Sequence, residues 1–129
     1  MADYRDHYDE IRRAGGELIT VSADVPARSE MLRELLHLPF VMLSDVERRV
    51  VRQWDIYNAR ERGGIAKPTV YVLEPDRRVR FVEVDGVASR VHASAILPIV
   101  RGDSPFPRVA RALYVPSAID FLRALRNQM

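Results

Sequence analysis

Two neighbouring apolar segments constrain the fold of this chain more than any other feature of its sequence. Thr69–Leu73 is a nearly unbroken run of β-branched and apolar residues, which is typical of a central strand. Arg78–Val84 is a strand-like segment with polar residues on both faces, which places it nearer the edge of a sheet. The short turn sequence Glu74-Pro75-Asp76-Arg77 joins them. The two segments are therefore predicted to form an antiparallel hairpin.

Helices and short strands alternate before this hairpin. Tyr4, Tyr8 and Ile11 recur at helical spacing, and Gly15-Gly16 is predicted to end that first helix. Glu17–Ser22 is short and β-branched, which predicts a mostly buried strand in the same sheet as the hairpin. Pro26 predicts the start of a second helix and Pro39 its end. The apolar face of that helix carries Met31, Leu32, Leu35 and Leu36, and the strand Phe40–Leu43 follows.

Serine residues predict where the later helices begin. Ser44-Asp45-Val46-Glu47 matches a capping box, in which the Ser44 and Glu47 side chains satisfy free amides. The helix that follows is expected to carry an apolar stripe of Val46, Val50, Val51 and Trp54, and residues 58–64 are predicted to be a polar loop. Ser89 is predicted to cap a helix that Pro98 ends or kinks near Leu97, and the apolar residues of that helix are Val91, Ala95 and Ile96.

The order of elements predicts one α/β domain over residues 1–102 and an extension over residues 103–129. Asp103–Pro107 is a linker-like break. Ser117 is predicted to cap a final helix with Ile119, Leu122 and Leu125 on one side. We expect this helical extension to pack on the domain or on a neighbouring chain.

Composition excludes several classes of function. The sequence contains no cysteine, so these residues form no disulfide, no thiolate metal site and no thiol nucleophile. His7, His37 and His92 lack the spacing of metal ligands, and we predict neither a metal nor a cofactor. The net charge is only +2 and acidic residues are interspersed with the arginines, which argues against a nucleic-acid binder. Without a long apolar run or a signal peptide after Met1, we expect no membrane association and a cytoplasmic location.

Four segments in sequence order carry a family resemblance: residues 4–24, 38–45, 50–57 and 66–76. These segments contain the motifs Val21-Ser22-Ala23-Asp24, Leu38-Pro39-Phe40, Ser44-Asp45 and Lys67-Pro68-Thr69-Val70. Together they resemble the peroxiredoxin family, in its alkyl hydroperoxide reductase and thiol-specific antioxidant branch, from Tyr4 to about Val100. The resemblance implies a thioredoxin-like, peroxiredoxin-type three-layer sandwich, truncated at its N-terminal strand and followed by the helical extension.

The resemblance also implies where an active site would lie. In the family, a peroxidatic cysteine attacks the O–O bond of a hydroperoxide, and its segment precedes the residues seen here. Lys67, Pro68 and Thr69 correspond to what remains of the active-site surface, with Lys67 where the family commonly has an arginine. A cis Lys67–Pro68 bond is also implied. The alternative is that these residues only shape the loop before a central strand, and no residue is predicted to be catalytic.

Three functions of different class remain open at this point. The first is a peroxiredoxin-like protein whose family reaction is thiol-dependent reduction of hydroperoxides, although this chain is not itself catalytic. A thioredoxin-type reductant would then be a partner only of a longer, cysteine-containing form. The second is a non-catalytic interaction module that kept the thioredoxin-like fold. The third, the least favoured, is nucleic-acid binding through arginine.

The strand that the resemblance leaves out is a central one, between Glu17–Ser22 and the hairpin. Its absence would leave backbone groups unpaired and expose the apolar side chains of Leu18, Val21, Val70 and Val72. Three repairs are open: the flanking strands pair directly, the extension folds back through residues 112–115, or a second copy supplies the complement. A homodimer is the expected solution.

Overall fold

A computed structural model describes residues 1–60, 64–85, 89–103 and 111–113 of the chain. The helices in these ranges are α1 (Ala2–Asp6), α2 (Tyr8–Arg13), α3 (Pro26–Leu35), α4 (Arg49–Gln53) and α5 (Ala93–Arg101). The strands are β1 (Ile19–Ser22), β2 (Val41–Ser44), β3 (Tyr57–Asn58), β4 (Ile65–Ala66), β5 (Thr69–Leu73), β6 (Val79–Val84), β7 (Ser89–Val91) and β8 (Arg111–Leu113). None of these helices is long and apolar enough to cross a membrane.

The N-terminal helix is divided at His7, where φ is −103° and ψ is 6°. The His7 ring nitrogen Nδ1 lies 2.8 Å from the Asp3 carbonyl oxygen, which also accepts the His7 backbone N–H. The single helix predicted from Tyr4 onward is therefore two short ones. Gly15 follows α2 in the left-handed conformation with φ of 86°, in agreement with the predicted end of this region.

Strands β1 and β2 form a parallel pair, with Ile19 opposite Val41 and Val21 opposite Leu43. These four apolar side chains share one side of the pair, and each has about half of its surface exposed. We call them the outer face of β1–β2. On the other side, α3 packs against β2, and Ser29 Oγ lies 3.2 Å from Ser44 Oγ.

Helix α3 does not bury the apolar face predicted for it. Met31 is 62% exposed and Leu35 is 71% exposed, and the one fully buried residue of the helix is Ser29. A pair of strands is only about 5 Å wide between backbones, so it covers a narrow strip of a helix. The helix begins at Pro26, as predicted, but ends at Leu35, before Pro39.

The helix α4 is capped by Asp45 rather than by the predicted Ser44. Asp45 Oδ1 accepts the Arg49 N–H and Asp45 Oδ2 accepts the Val51 N–H, both at 3.0 Å. The Asp45 N–H donates to the Ser22 carbonyl at 2.7 Å, which joins the end of β2 to β1. Ser44 fails as a cap because its hydroxyl faces Ser29 under α3. The expected stripe is buried at Val51, whereas Val46 and Trp54 are exposed.

The predicted hairpin of β5 and β6 is confirmed: the strands are antiparallel, with Thr69 opposite Val84 and Tyr71 opposite Val82. The register shifts near Leu73, which pairs with Val79 and leaves Arg80 as an extra residue. This bulge lets Arg80 Nη1 donate to the Ile99 carbonyl of α5 at 2.8 Å. A second antiparallel pair, β3–β4, flanks the segment predicted to be a polar loop and overlaps it only at Asn58.

Helix α5 differs from the prediction at both ends, since Ser89 was predicted to cap its start and Pro98 to end or kink it. Ser89 belongs to β7, and α5 begins at Ala93, whose N–H donates to Asp3 Oδ2 at 2.7 Å. The helix continues through Pro98 to Arg101. The buried residues Ile96, Leu97 and Ile99 surround Pro98 in sequence, so core packing offsets the one backbone hydrogen bond that proline removes.

The core lies between α5 and the hairpin. Val91, Ile96 and Ile99 form its buried centre, and Val70, Val72 and Phe81 pack against them from the hairpin together with Tyr4 of α1. The expected exposure of Val70 and Val72 is therefore wrong. For Val21 it is confirmed, because this side chain lies on the outer face of β1–β2.

The described strands form separate pairs rather than one sheet: β1 is hydrogen bonded to β2, and β5 to β6. The prediction that residues 17–22 share a sheet with the hairpin is thus wrong, as is direct pairing of the flanking strands. The hairpin is joined to the N-terminal region through helices instead: α5 packs on β5 and on α2, and the Tyr8 ring of α2 lies 5.9 Å from the ring of Phe40, just before β2. Within the extension, β8 pairs with β7 and not with the free edge of β1 or β5. The predicted helix after Ser117 lies outside the described residues.

Candidate functional site

The segment Lys67-Pro68-Thr69 crosses from β4 into β5 and is held at every backbone step. The Lys67 N–H donates to the Ile56 carbonyl at 2.7 Å, and the Pro68 carbonyl accepts the Asp85 N–H at 2.7 Å. The Thr69 hydroxyl donates to the Lys67 carbonyl at 3.0 Å. The Lys67 side chain is exposed, whereas Pro68 and Thr69 are half-buried.

The Lys67–Pro68 bond is trans, since the described residues include no cis peptide bond. The cis bond implied by the resemblance is therefore wrong. Trans is the default for a bond to proline, by about 0.5–1 kcal/mol. The hydrogen bonds on either side of this bond are satisfied with it in the trans form.

Arg48, just before α4, and Arg52 of α4 hold the β3–β4 pair beside this segment. Arg48 Nε donates to the Gly64 carbonyl at 2.7 Å, and the Arg52 guanidinium lies 4.7 Å from the centre of the Tyr57 ring. Gly64 has φ of 103°, and a Cβ there would collide with the Tyr57 ring. Only glycine fits this position, which fixes the path of the chain toward Lys67.

The chemistry of these three residues is limited to binding and positioning. Lys67 presents an exposed cation that attracts anions. The Thr69 hydroxyl already donates its proton to a backbone carbonyl, so it has no base to activate it as a nucleophile. The segment therefore presents one positive charge, that of Lys67, on a backbone held by hydrogen bonds, and none of its three side chains is a nucleophile.

A second polar cluster surrounds the N-terminus of α5, and the sequence prediction missed it. Asp3 caps the helix through Oδ2, His92 Nδ1 lies 3.6 Å from that oxygen, and His7 Nδ1 lies 3.4 Å from Asp3 Oδ1. The hydrogen bond to the Asp3 carbonyl raises the pKa of His7, and the charges of Asp3, Glu10 and Asp6 act in the same direction. Asp3 and His7 stand four residues apart, a spacing visible in the sequence, whereas His92 is far away in sequence.

Tyr4 and Asp85 converge on the backbone of Val91 next to this cluster. The Tyr4 hydroxyl donates to the Val91 carbonyl at 3.2 Å, and Asp85 Oδ2 accepts the Val91 N–H at 2.9 Å. Burial raises the pKa of Tyr4, and the charges of Asp3 and Asp85 raise it further. Asp85 Oδ1 is buried without a hydrogen-bond partner in the described ranges. These contacts anchor α1 to the start of α5.

No group of three or more histidine or acidic side chains in the described ranges is arranged to hold a metal ion. His7 and His92 approach a common carboxylate, but His37 stands apart in an exposed left-handed turn after α3, with φ of 51°. The cluster at α5 is therefore a capping and anchoring arrangement.

The strand pairs and the helices that connect them define a class of protein: a thioredoxin-like α/β fold of the peroxiredoxin type. The structure superposes on AhpC of Mycobacterium tuberculosis with a TM-score of 0.68 at 25% identity, over 77% of this chain and 56% of that one. It superposes on a peroxiredoxin 6 of Arenicola marina with a TM-score of 0.69 at 17% identity, over 92% of this chain and 66% of that one. The second likeness shows the fold alone.

The family assignment rests on sequence as well. The family model for AhpC/TSA matches residues 1–82, and the chain belongs to this family. It is 28% identical over 98 residues to a chloroplastic peroxiredoxin Q of rice, which covers 76% of this chain and 45% of the relative. It is 26% identical over 101 residues to alkyl hydroperoxide reductase C of Salmonella typhimurium, over 75% of this chain and 53% of the relative. The chain thus spans about half the length of these relatives.

Proposed function

We propose that this chain is a peroxiredoxin-family domain that retains the scaffold around the active-site surface and does not itself reduce hydroperoxides. The observation that carries the proposal is the site chemistry: Lys67, Pro68 and Thr69 are positioned at the start of β5, and the 129 residues contain no cysteine. The family reaction requires a thiolate sulfur that attacks one peroxide oxygen, so that the O–O bond breaks and a sulfenic acid forms. That sulfur has to come from outside these residues.

Methionine does not replace the missing thiol. The sequence has four methionines, and Met31 is 62% exposed on α3. Peroxide can oxidise its thioether to a sulfoxide, but the return to methionine needs a separate reductase. Peroxide loss caused by this chain is therefore expected to stop after the methionines are oxidised.

The test is a peroxidase assay of the purified 129-residue chain with hydrogen peroxide and with an alkyl hydroperoxide. NADPH oxidation is followed in the presence of thioredoxin and thioredoxin reductase, with the rice peroxiredoxin Q as the positive control. We expect no sustained NADPH oxidation by the chain. Saturable turnover that Lys67→Ala or Thr69→Ala abolishes would contradict the proposal, because a residue of this chain would then take part in the reaction.

The alternative, a non-catalytic interaction module, is supported by a different observation. The outer face of β1–β2 presents four half-exposed apolar side chains, Ile19, Val21, Val41 and Leu43. The second backbone edge of β1 is also free of strand pairing among the described strands. Exposed edges and apolar faces of this kind favour association with another polypeptide.

A homodimer is the association that we propose for this surface. Ile19 and Val41 stand opposite each other, so a lysine at position 41 places a charge directly beside Ile19 on this face. Light scattering after size exclusion should give a dimer mass for the chain and a monomer mass for Val41→Lys. The control is Glu47→Lys, which also introduces a lysine, at an exposed turn position outside the two strands. A monomer mass for the unchanged chain at tens of micromolar would exclude the dimer.

The remaining assignments stay predictions. A thioredoxin-type reductant is proposed only for a form that supplies a cysteine. The cytoplasmic location also stays a prediction, because the matched relatives include chloroplastic peroxiredoxins.

A further inference from the structure

The hairpin β5–β6 is apolar on both sides, but the described elements bury only one of them. Its inner side, with Val70, Val72 and Phe81, packs on the core at α5. Strands that are apolar on both faces are typically covered on both faces. On the other side Leu73, Val79, Val82 and Val84 are exposed and Tyr71 is half-buried. We call this side the outer face of the hairpin.

Trp54 marks this outer face. Its ring meets the Tyr71 ring edge to face, with 4.6 Å between the ring centres, yet 45% of Trp54 remains exposed. Together with Leu73, Arg77 and Val79 the two rings line an open groove of about 490 Å³. An apolar groove with two aromatic walls is an unusual surface to leave to water.

The β7–β8 pair lies near one end of the hairpin, because the Val91 N–H of β7 donates to Oδ2 of Asp85, the residue after Val84. The register of β7 and β8 sets Leu113 opposite Ser89, at a backbone spacing of about 5 Å. Ser89 follows Asp85, the residue after β6, by a connection that spans at most ~14 Å. Residues 114–116 let residue 117 lie up to ~14 Å beyond Leu113, which brings it within reach of the Val84 end of the outer face.

The sequence after this point has the pattern of a helix that covers a sheet. At 100° per residue, one side of a helix over residues 117–129 carries Ala118, Phe121, Leu122, Leu125 and Met129, and Ile119 lies at the margin of this side next to Leu122. Asn127 lies on the opposite side, with Asp120 and Arg123 flanking it. Such a helix is ~20 Å long, and the six residues of β6 also extend ~20 Å.

We propose that residues 117–129 form an amphipathic helix that docks on the outer face of the hairpin of the same chain. The tether of three residues keeps the helix at a high effective concentration beside the face, which favours the same chain over a second copy. Docking covers Trp54 and completes a second layer over the hairpin. The proposal concerns the hairpin and is independent of the dimer proposed for β1–β2.

Trp54 is the only tryptophan of the chain, so its fluorescence reports on this face directly. In the full chain we expect a blue-shifted emission and protection from acrylamide, both independent of protein concentration. Leu122→Asp places a charge on the docking side of the helix and should cause a red shift and loss of protection. Asn127→Asp places the same charge on the opposite side and should change neither. Equal quenching in all three proteins would overturn the proposal.

A second measurement keeps the inference testable if Leu122→Asp disturbs folding. The natural chain has no cysteine, so a single engineered pair, Val82→Cys with Leu122→Cys, can be oxidised without competing thiols. Docking within one chain predicts a disulfide in the monomer, detected by faster migration without reductant. A control pair, Val82→Cys with Asn127→Cys, should not form it. A disulfide-linked dimer, or no disulfide, would refute docking within the chain.

Discussion

Removal of the Asp45 carboxylate should destabilise this protein more than any other loss of a single polar side chain in the β2–α4 region. Asp45 is 9% exposed, and its two oxygens accept the N–H groups of Arg49 and Val51 at 3.0 Å each. Replacement of an acidic helix cap by alanine costs about 0.5–2 kcal/mol, and a buried amide left without a partner adds about 1 kcal/mol or more. We expect Asp45→Ala to lower the free energy of unfolding by about 2–3 kcal/mol. Asp45→Asn keeps one acceptor and should lose about half as much.

The measurement is urea unfolding followed by circular dichroism, with thermal melting as a check. For a chain of this size a loss of 1 kcal/mol lowers Tm by about 4 °C, so Asp45→Ala should melt about 8–12 °C lower. Ser44→Ala is the matched comparison, because Ser44 is the cap that the sequence pattern favours. Within the described ranges its hydroxyl contacts that of Ser29, and we expect a loss of at most about 1 kcal/mol. If Ser44→Ala proves more damaging than Asp45→Ala, the capping described here is wrong.

Three further outcomes follow from other contacts. The pKa of His7 is raised in the folded state, so protonated His7 stabilises the fold. This stabilisation is fully present below about pH 6.5 and is lost as pH rises through the folded-state pKa, so His7→Gln should reduce the difference in Tm between about pH 5.5 and pH 8. Arg80→Ala removes the bond to α5 and should cost about 1 kcal/mol in urea unfolding, whereas Arg78→Ala, 80% exposed at its side chain, should cost almost nothing. Leu38→Ala should cost about 2–5 kcal/mol and the exposed Leu35→Ala less than about 0.5 kcal/mol; equal losses would show that both are misplaced.

Local patterns predicted the elements whose partners are close in sequence. The hairpin of Thr69–Leu73 with Arg78–Val84 was predictable because a short turn forces adjacent strands together. The start of α3 at Pro26 was predictable because proline is preorganised for the first helical position. The family resemblance, which depends on motif order rather than on contacts, is confirmed by the match over residues 1–82.

Features that depend on distant residues were not predictable in this way. Serine is a residue type favoured as a helix cap, which is why Ser89 was predicted to cap α5. Asp3 of α1, far away in sequence, accepts the first N–H of α5 instead. Pro98 is a helix breaker in isolation, and tertiary packing of Ile96 and Ile99 overrides it. Lys67 and Pro68 precede β5 and Thr69 begins it, but the cis Lys67–Pro68 bond implied by the family is wrong. Helix and turn propensities depend on neighbouring residues, whereas these features depend on contacts between residues that are distant in sequence.

The separation of β1–β2 from β5–β6 has a consequence for how the native state opens. In a continuous sheet, amide protons of neighbouring strands exchange with solvent together, because each strand protects the next. Here no backbone hydrogen bond links the two described pairs. The amides of β1 and β2 should therefore exchange through a local opening of their own, faster than those of β5, which packs on the buried centre at Ile99. We therefore expect hydrogen exchange to show two cooperative units, with β1 and β2 in the less stable one.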